Sequence, residues 1–301
     1  MVRFKQGILF HMHLTFRIFT TLILPLYGLG TQFLVTPYNA NELSIGSHPA
    51  CLEALTLNPA LYSEKKSNSN LMLNRGSWIG DISLTSLGYI QKVNSKTFYF
   101  GARYSGLSDL EFRGEKPEDE PLGYFSSYGL SFTSGLSLSK NNQKFGLSLS
   151  YISLGIYTES SSGISLGFGY LAKFKKEFNL GVSIQNLGRM SSLYSDAPEL
   201  PLRLIFGSSK LISLSNFNNT VYTSIELNSI NKQIKRKYNF GNKLNWKQID
   251  ILGGFSISEN VNYVSMGLNL KLKKYEISYG INFNSHNLGD PQIISLKLDL
   301  P

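Results

Sequence analysis

From about residue 68 onward, hydrophobic and polar side chains alternate with a period of two. Tyr128, Leu130 and Phe132 alternate with Gly129, Ser131 and Thr133, and Phe145, Leu147, Leu149 and Tyr151 with Gly146, Ser148 and Ser150. Ile164, Leu166, Phe168 and Tyr170 alternate with Ser165, Gly167 and Gly169. The pattern returns near the end, where Tyr275, Ile277, Tyr279, Ile281 and Phe283 alternate with Glu276, Ser278, Gly280, Asn282 and Asn284. Successive side chains of a strand point to opposite faces, so these runs are strands with one apolar and one polar face. Fourteen such runs are expected between residues 68 and 300, among them 96–105, 177–186 and 236–244.

Alternation alone allows a soluble sandwich with its apolar face inward or a membrane barrel with its apolar face outward. The polar face decides between them. It is built of Ser, Gly and Asn with few charges, which suits a crowded lumen rather than a water-covered surface. Strands of ten or more residues exceed the roughly 5–6 usual in soluble sheets and match the roughly 9–11 of a tilted spanning strand. Aromatic residues such as Tyr89, Phe98, Tyr99, Tyr151, Tyr157 and Phe174 fall near strand ends, as the girdles of a lipid-facing band do. The fold class expected is all-β: an antiparallel transmembrane β-barrel of about fourteen strands, an even number as single-chain bacterial barrels have.

If the first strand starts in the periplasm, the even connections become periplasmic turns and the odd ones outer loops. The even connections, such as 140–142 and 175–176, are short, and the long ones at 106–123 and 187–200 fall outside, the asymmetry that outer-membrane barrels show. Residues 1–30 read as a secretory signal, with Arg3, Lys5 and Arg17 ahead of or beside an apolar stretch from Ile18 to Leu29 and small residues at Gly28 and Gly30. Met12 is an alternative start. Residues 31–67 lack alternation and precede the barrel of 68–301, the place of an N-terminal hatch or plug. The expected location is the bacterial outer membrane, with its lipid as one partner.

Composition supports this division. Only 16% of residues are charged, against roughly 25% in soluble domains, yet hydrophobic content is an ordinary 42%. The net charge of +9 is spread over short connections rather than gathered beside a recognition element, so nucleic acid is not an expected partner. A lone Cys51 excludes an intramolecular disulfide, and His48 and His286 stand far apart without acidic neighbours at ligand spacing. No nucleophile elbow or phosphate loop occurs, so no enzyme activity, metal or cofactor is expected. The acidic run from Glu111 to Glu120 is either a solvated outer loop or a docking loop, in which Asp109, Glu118, Asp119 and Glu120 are the candidate residues.

The order of several short motifs resembles the PorV/PorQ family, whose members are similar to FadL-type fourteen-stranded barrels. Asn58-Pro59-Ala60 lies just before the first strand. Asn186-Leu187-Gly188 stands at the end of the 177–186 strand, with Leu200-Pro201 before the next, and Ser265 to Leu300 is similar to the closing strands. The resemblance implies a non-enzymatic component of type IX protein secretion or surface attachment, with other secretion proteins or the C-terminal domains of exported cargo as partners. A FadL-like channel for hydrophobic small molecules is the alternative. In that type the ligand leaves by a lateral opening or past a displaced hatch. A continuous apolar lumen would favour the channel, and a polar or plugged lumen a protein-binding role.

Overall fold

The computed structural model describes residues 30–52, 55–64, 69–114, 119–230, 233–259, 261–286 and 289–300. Residues 1–29 of the expected leader and Glu118 lie outside them. Fourteen antiparallel strands follow one another around a closed barrel: β1 (Ser69–Trp78), β2 (Ile82–Val93), β3 (Lys96–Phe112), β4 (Gly123–Lys140), β5 (Gln143–Ile156), β6 (Glu159–Phe174) and β7 (Phe178–Met190) form one half. The other half comprises β8 (Leu202–Ser213), β9 (Asn218–Ile230), β10 (Gln233–Trp246), β11 (Ile249–Ser258), β12 (Asn262–Leu272), β13 (Tyr275–Asn284) and β14 (Gln292–Leu300). Closure comes from β1 on β14, with Ser69 opposite Leu300 and Ser77 opposite Gln292. No backbone edge remains open, which the hydrocarbon core requires because it offers no hydrogen-bond partners.

The alternation resolves as expected into an apolar outside and a polar inside. Leu149, Phe168, Phe206, Phe240 and Ile294 project outward and are exposed, while Ser148, Ser165, Ser183, Asn239 and Asn269 point inward and are buried. Leu149 sits near mid-strand on the lipid face. Leu149→Lys is therefore expected to cost about 2–4 kcal/mol, and Asn142→Lys, in a short turn, at most about 1. Urea unfolding from lipid vesicles measures both.

β3, β7 and β10 are among the strands that run further than the alternation indicated. β3 reaches Phe112, because after a bulge between Leu107 and Leu110 it pairs again with β4, Leu110 opposite Phe125 and Phe112 opposite Gly123. Asp109, at φ 58°, sits in that bulge. β7 reaches Met190 past a second bulge, and β10 extends at both ends. Bulges break strict alternation while leaving the hairpin's backbone pairing intact, which is why the periodic signal stopped early. Tyr99 is a further correction. It faces inward, fully buried, with its ring stacked on Tyr62 at 4.5 Å, and so belongs to no lipid-facing girdle.

Residues 31–52 and 55–64 fold inside the barrel. Thr31 begins near the outer rim, its hydroxyl donating to the Glu199 carbonyl beside the β7–β8 loop. Phe33 packs with Ile152, Leu154 and Met190. The chain then descends to a short helix, α1 (Ala40–Ile45), and through 3-10 turns at Leu55–Leu57 and Pro59–Glu64 before it reaches β1. Strand glycines make room for it. A Cβ on Gly267 would collide with the Ser44 side chain, and one on Gly169 with the Asn58 side chain. These two glycines thus mark where the hatch approaches the wall closely.

Candidate functional site

Hatch and wall are joined by hydrogen bonds from side chains that alternation leaves pointing inward. Asn39 caps α1 by accepting from the Glu42 backbone N–H at 2.9 Å, and the Glu42 carboxylate accepts from the Tyr38 backbone N–H at 2.9 Å, a reciprocal arrangement that fixes the helix start. Tyr38 donates to the Leu87 carbonyl at 2.9 Å, and the Tyr99 hydroxyl donates to that of Tyr38 at 3.0 Å. Arg103 donates to the Thr36 carbonyl at 2.9 Å and the Pro37 carbonyl at 3.2 Å, and its guanidinium lies 5.7 Å from the centre of the Tyr38 ring. Ser224 and Ser265 donate to the Ser47 and Ser44 carbonyls at 2.6 and 2.9 Å.

Arg203 is the centre of this network. Its Nε donates to Glu226 at 2.7 Å, one Nη to Ser47 Oγ at 2.7 Å, and the other Nη stands 3.9 Å from Glu42. Side chains of Arg203, Glu226 and Glu42 are 2–3% exposed. Charges so far from water persist only when paired and hydrogen-bonded. Burial pushes the Glu42 carboxyl above its ordinary value, against the opposing pull of Arg203. Gln185 completes the arrangement by donating to the Thr56 and Leu57 carbonyls at 2.7 and 2.9 Å.

Between the hatch and the wall lies a cavity of about 80 Å³, bounded by Tyr38, Glu42, Tyr62, Tyr99, Arg103 and Arg203 and walled by strand serines including Ser131, Ser148 and Ser165. The lumen is therefore plugged and largely polar at this level. On the opposite, lipid-facing side of the same wall lies an apolar hollow of about 460 Å³ formed by Leu87, Tyr89, Phe100, Ala102, Phe132 and Ile164 with their neighbours. Thr133 and Ser150 border both spaces. Their hydroxyls lie 2.8 Å apart, so two small hydrogen-bonded side chains and one strand thickness separate cavity from hollow.

The candidate residues read from the sequence fall into three places. Asn58, Pro59 and Ala60 pack inside the barrel against β4, β5 and β6, and Asn58 is fully buried, donating to the Pro49 and Tyr170 carbonyls and accepting from the Ala60 N–H. Asn186, Leu187 and Gly188 do not end a strand. Asn186 sits in the bulge inside β7, at φ 61° and donating to the Pro201 carbonyl at 3.0 Å, while Leu187 and Gly188 pair with Leu166 and Ser165 just beyond it. Asp109, Asp119 and Glu120 are exposed on the β3–β4 hairpin at the outer rim, away from the lumen. The Arg203–Glu226–Glu42 cluster was missed. Its signal was available: Arg203 and Glu226 occupy inward positions on faces otherwise composed of Ser, Gly, Asn and aliphatics.

His48, buried in the hatch, donates from Nε2 to the Ile45 carbonyl at 2.7 Å and stacks on Tyr222 at 5.4 Å, and burial pulls its pKa down to about 4. Lys237 and Glu226 act on it in opposite directions. A seated hatch holds this imidazole neutral, whereas a released hatch protonates it at the ordinary value near 6.5. The stabilisation is therefore whole above pH about 6.5 and falls by about 3 kcal/mol toward pH about 4. Glu42, raised in the seated state, changes in the opposite sense over acid pH, so the His48 contribution is isolated by comparison with His48→Gln. Cys51 is fully buried beneath the same segment. Its reaction with 4,4′-dithiodipyridine, which attacks thiols in acid as in neutral solution, is expected to accelerate below pH about 6 more in the wild type than in His48→Gln.

No protein-family model matches the sequence, and no curated protein is significantly similar to it. Solved structures do match. The toluene transporter TodX of Pseudomonas putida superimposes with a TM-score of 0.65 at 12% identity, over 88% of this chain and 99% of that one. A second structure of that transporter gives 0.63 at 12% identity over 87% and 98%. A FadL homologue of Pseudomonas aeruginosa gives 0.57 at 10% identity over 88% and 99%. The likeness is one of fold: a closed fourteen-stranded, FadL-like barrel. With its apolar exterior and closed, even-numbered sheet, the chain is an outer-membrane barrel of the bacterial type.

Proposed function

We propose that this protein is a non-enzymatic outer-membrane channel for hydrophobic small molecules. The observation that carries the reading is the thin wall between the lumen cavity and the lipid-facing apolar hollow, bordered on both sides by Thr133 and Ser150. A hydrophobic molecule that reaches the cavity has little further to go before it meets apolar surface and the lipid acyl chains, into which its transfer is favourable. Passage at this level parts the Thr133–Ser150 hydrogen bond, at about 1 kcal/mol, and the backbone pairing of β4 with β5 beside it, at about 1 kcal/mol for each further bond. Similarity to a structure described as a toluene transporter supports the same reading.

One observation favours a second reading, the PorV/PorQ-like role in secretion with protein partners. The cavity is small and lined with Ser, Gln, Asn and Arg, as a lumen not meant for apolar cargo would be. Purification from detergent-solubilised membranes separates the two. The channel reading expects saturable binding of toluene or oleate by the purified barrel, with no recovery of exported proteins sharing a C-terminal domain. Recovery of such proteins without binding of either molecule would replace it by the secretion reading.

A further inference from the structure

Each hairpin that turns at the periplasmic rim carries a lysine at its turn or beside it: Lys96 on β2–β3, Lys140 on β4–β5, Lys176 on β6–β7, Lys210 on β8–β9, Lys247 on β10–β11 and Lys273 on β12–β13. All of them are exposed. Lys96, Lys140 and Lys210 share the outward parity of Phe98, Leu138 and Ile212, exposed side chains of the apolar band, so their ammonium groups stand where that band ends. Lys247 lies 5.2 Å from the centre of the Trp246 ring, an indole on the same outer face. Carboxylates are scarce at this level. Asp250 and Glu276 turn into the lumen and face Lys271 and Lys297 at 2.7 and 3.0 Å, which leaves Glu177 as the one acid exposed at these turns among the described residues. The outer connections have the opposite sign, with Asp81, Asp119, Asp196 and Asp290.

We propose that this ring of lysines binds the head groups of anionic phospholipids in the periplasmic leaflet. A cation on every hairpin, all at the edge of the apolar band, matches a planar layer that surrounds the barrel. A protein partner would be met instead by a patch on one side, and here the charge runs round the whole circumference. The methylene stem of a lysine lies along apolar surface while its ammonium reaches the polar layer beyond, so these side chains belong to the band and to the head groups at once. With so few carboxylates beside them, their charge is left to attract an anionic surface. The indole of Trp246 beside Lys247 is the residue type that settles at such a boundary. This inference concerns the outside of the barrel and goes beyond the channel reading, since it holds whatever the lumen carries.

The test uses the full barrel in lipid vesicles, with Trp78→Phe so that Trp246 is the one indole left. Quenching of its fluorescence by brominated phosphatidylglycerol and by brominated phosphatidylcholine, each at the same fraction in unbrominated phosphatidylcholine, reads which lipid lies against this rim. Phosphatidylglycerol is expected to be favoured at least about threefold at low salt, and hardly at all at about 1 M salt, where the screening length falls to about 3 Å. Lys210→Gln, Lys247→Gln, Lys273→Gln and Lys274→Gln together are expected to abolish the preference, whereas Lys235→Gln with Arg236→Gln, at the opposite rim, leaves it unchanged. Heat-dependent migration on gels verifies that each variant forms the barrel. Equal quenching by the two lipids at low salt would overturn the proposal. So would a preference for phosphatidylglycerol that survives the four glutamine substitutions.

Discussion

Replacing Arg203 by methionine is expected to release the hatch from a barrel that stays closed. The substitution keeps much of the side chain's apolar length but strands Glu226 and Glu42, both 2% exposed, in a space from which water is excluded. Removing one partner of a buried ion pair costs about 3–5 kcal/mol, because the remaining charge has no compensation. Glu226 keeps the Asn228 amide at 2.8 Å, and Glu42 keeps the Tyr38 N–H, which places the loss toward the lower end of that range. The thiol of Cys51, inaccessible while the hatch is seated, is expected to react at least about a hundredfold faster, since each 1.4 kcal/mol is about tenfold in the population of the open state. The double variant Arg203→Met with Glu226→Met removes the directly bonded pair and leaves Glu42 with the Tyr38 N–H, and it is expected to recover part of the protection, as apolar replacements of buried pairs do. An unchanged labelling rate in Arg203→Met would mean that the cluster does not hold the hatch.

Asn58→Ala is the second large effect, and it acts through hydrogen bonds alone. The amide of Asn58 links two passes of the hatch to one strand, donating to Pro49 at 2.8 Å and to Tyr170 at 3.0 Å while its oxygen accepts from Ala60 at 3.0 Å. Alanine leaves two carbonyls and one N–H buried without this partner, at a cost of about 1 kcal/mol or more each, or about 3 kcal/mol together. Asn58→Asp is expected to be no better, because a carboxylate restores the acceptor but aims a second acceptor at two carbonyl oxygens. Both variants should show faster Cys51 labelling and larger single-channel conductance in planar bilayers than the wild type. Aspartate behaving like asparagine would contradict the assignment of the donor bonds.

The barrel was legible in the sequence because a lipid-facing wall enforces its pattern. Outward positions in the lipid band are apolar, inward ones are mostly small or polar, and a shift of one residue would turn the whole face over. The fourteen strands and the short periplasmic turns followed from that constraint. What escaped the pattern involved either a break in period or contact between distant segments. The bulges at Asp109 and Asn186 shift the alternation by one, so β3 and β7 seemed to stop where they only bend. Tyr99 has the composition of a girdle residue and the parity of a lumen residue, and parity won. Inward glycines such as Gly169 and Gly267 look in the sequence like any other small residue of the polar face, although their closest neighbours are side chains of the hatch. The ion cluster joins Glu42 to strands more than a hundred residues away, a proximity that only barrel closure creates.

The central claim is that hydrophobic molecules cross this barrel and leave through the wall at Thr133 and Ser150. Its most direct measurement is the initial uptake of radiolabelled toluene and oleate by cells that carry the barrel in their outer membrane, compared with cells carrying Thr133→Trp with Ser150→Trp and cells without it. The account predicts saturable uptake of at least one of the two molecules, lost when the wall is filled while the barrel remains folded. Uptake of both at the rate of cells lacking the protein, or uptake indifferent to the filled wall, would contradict it.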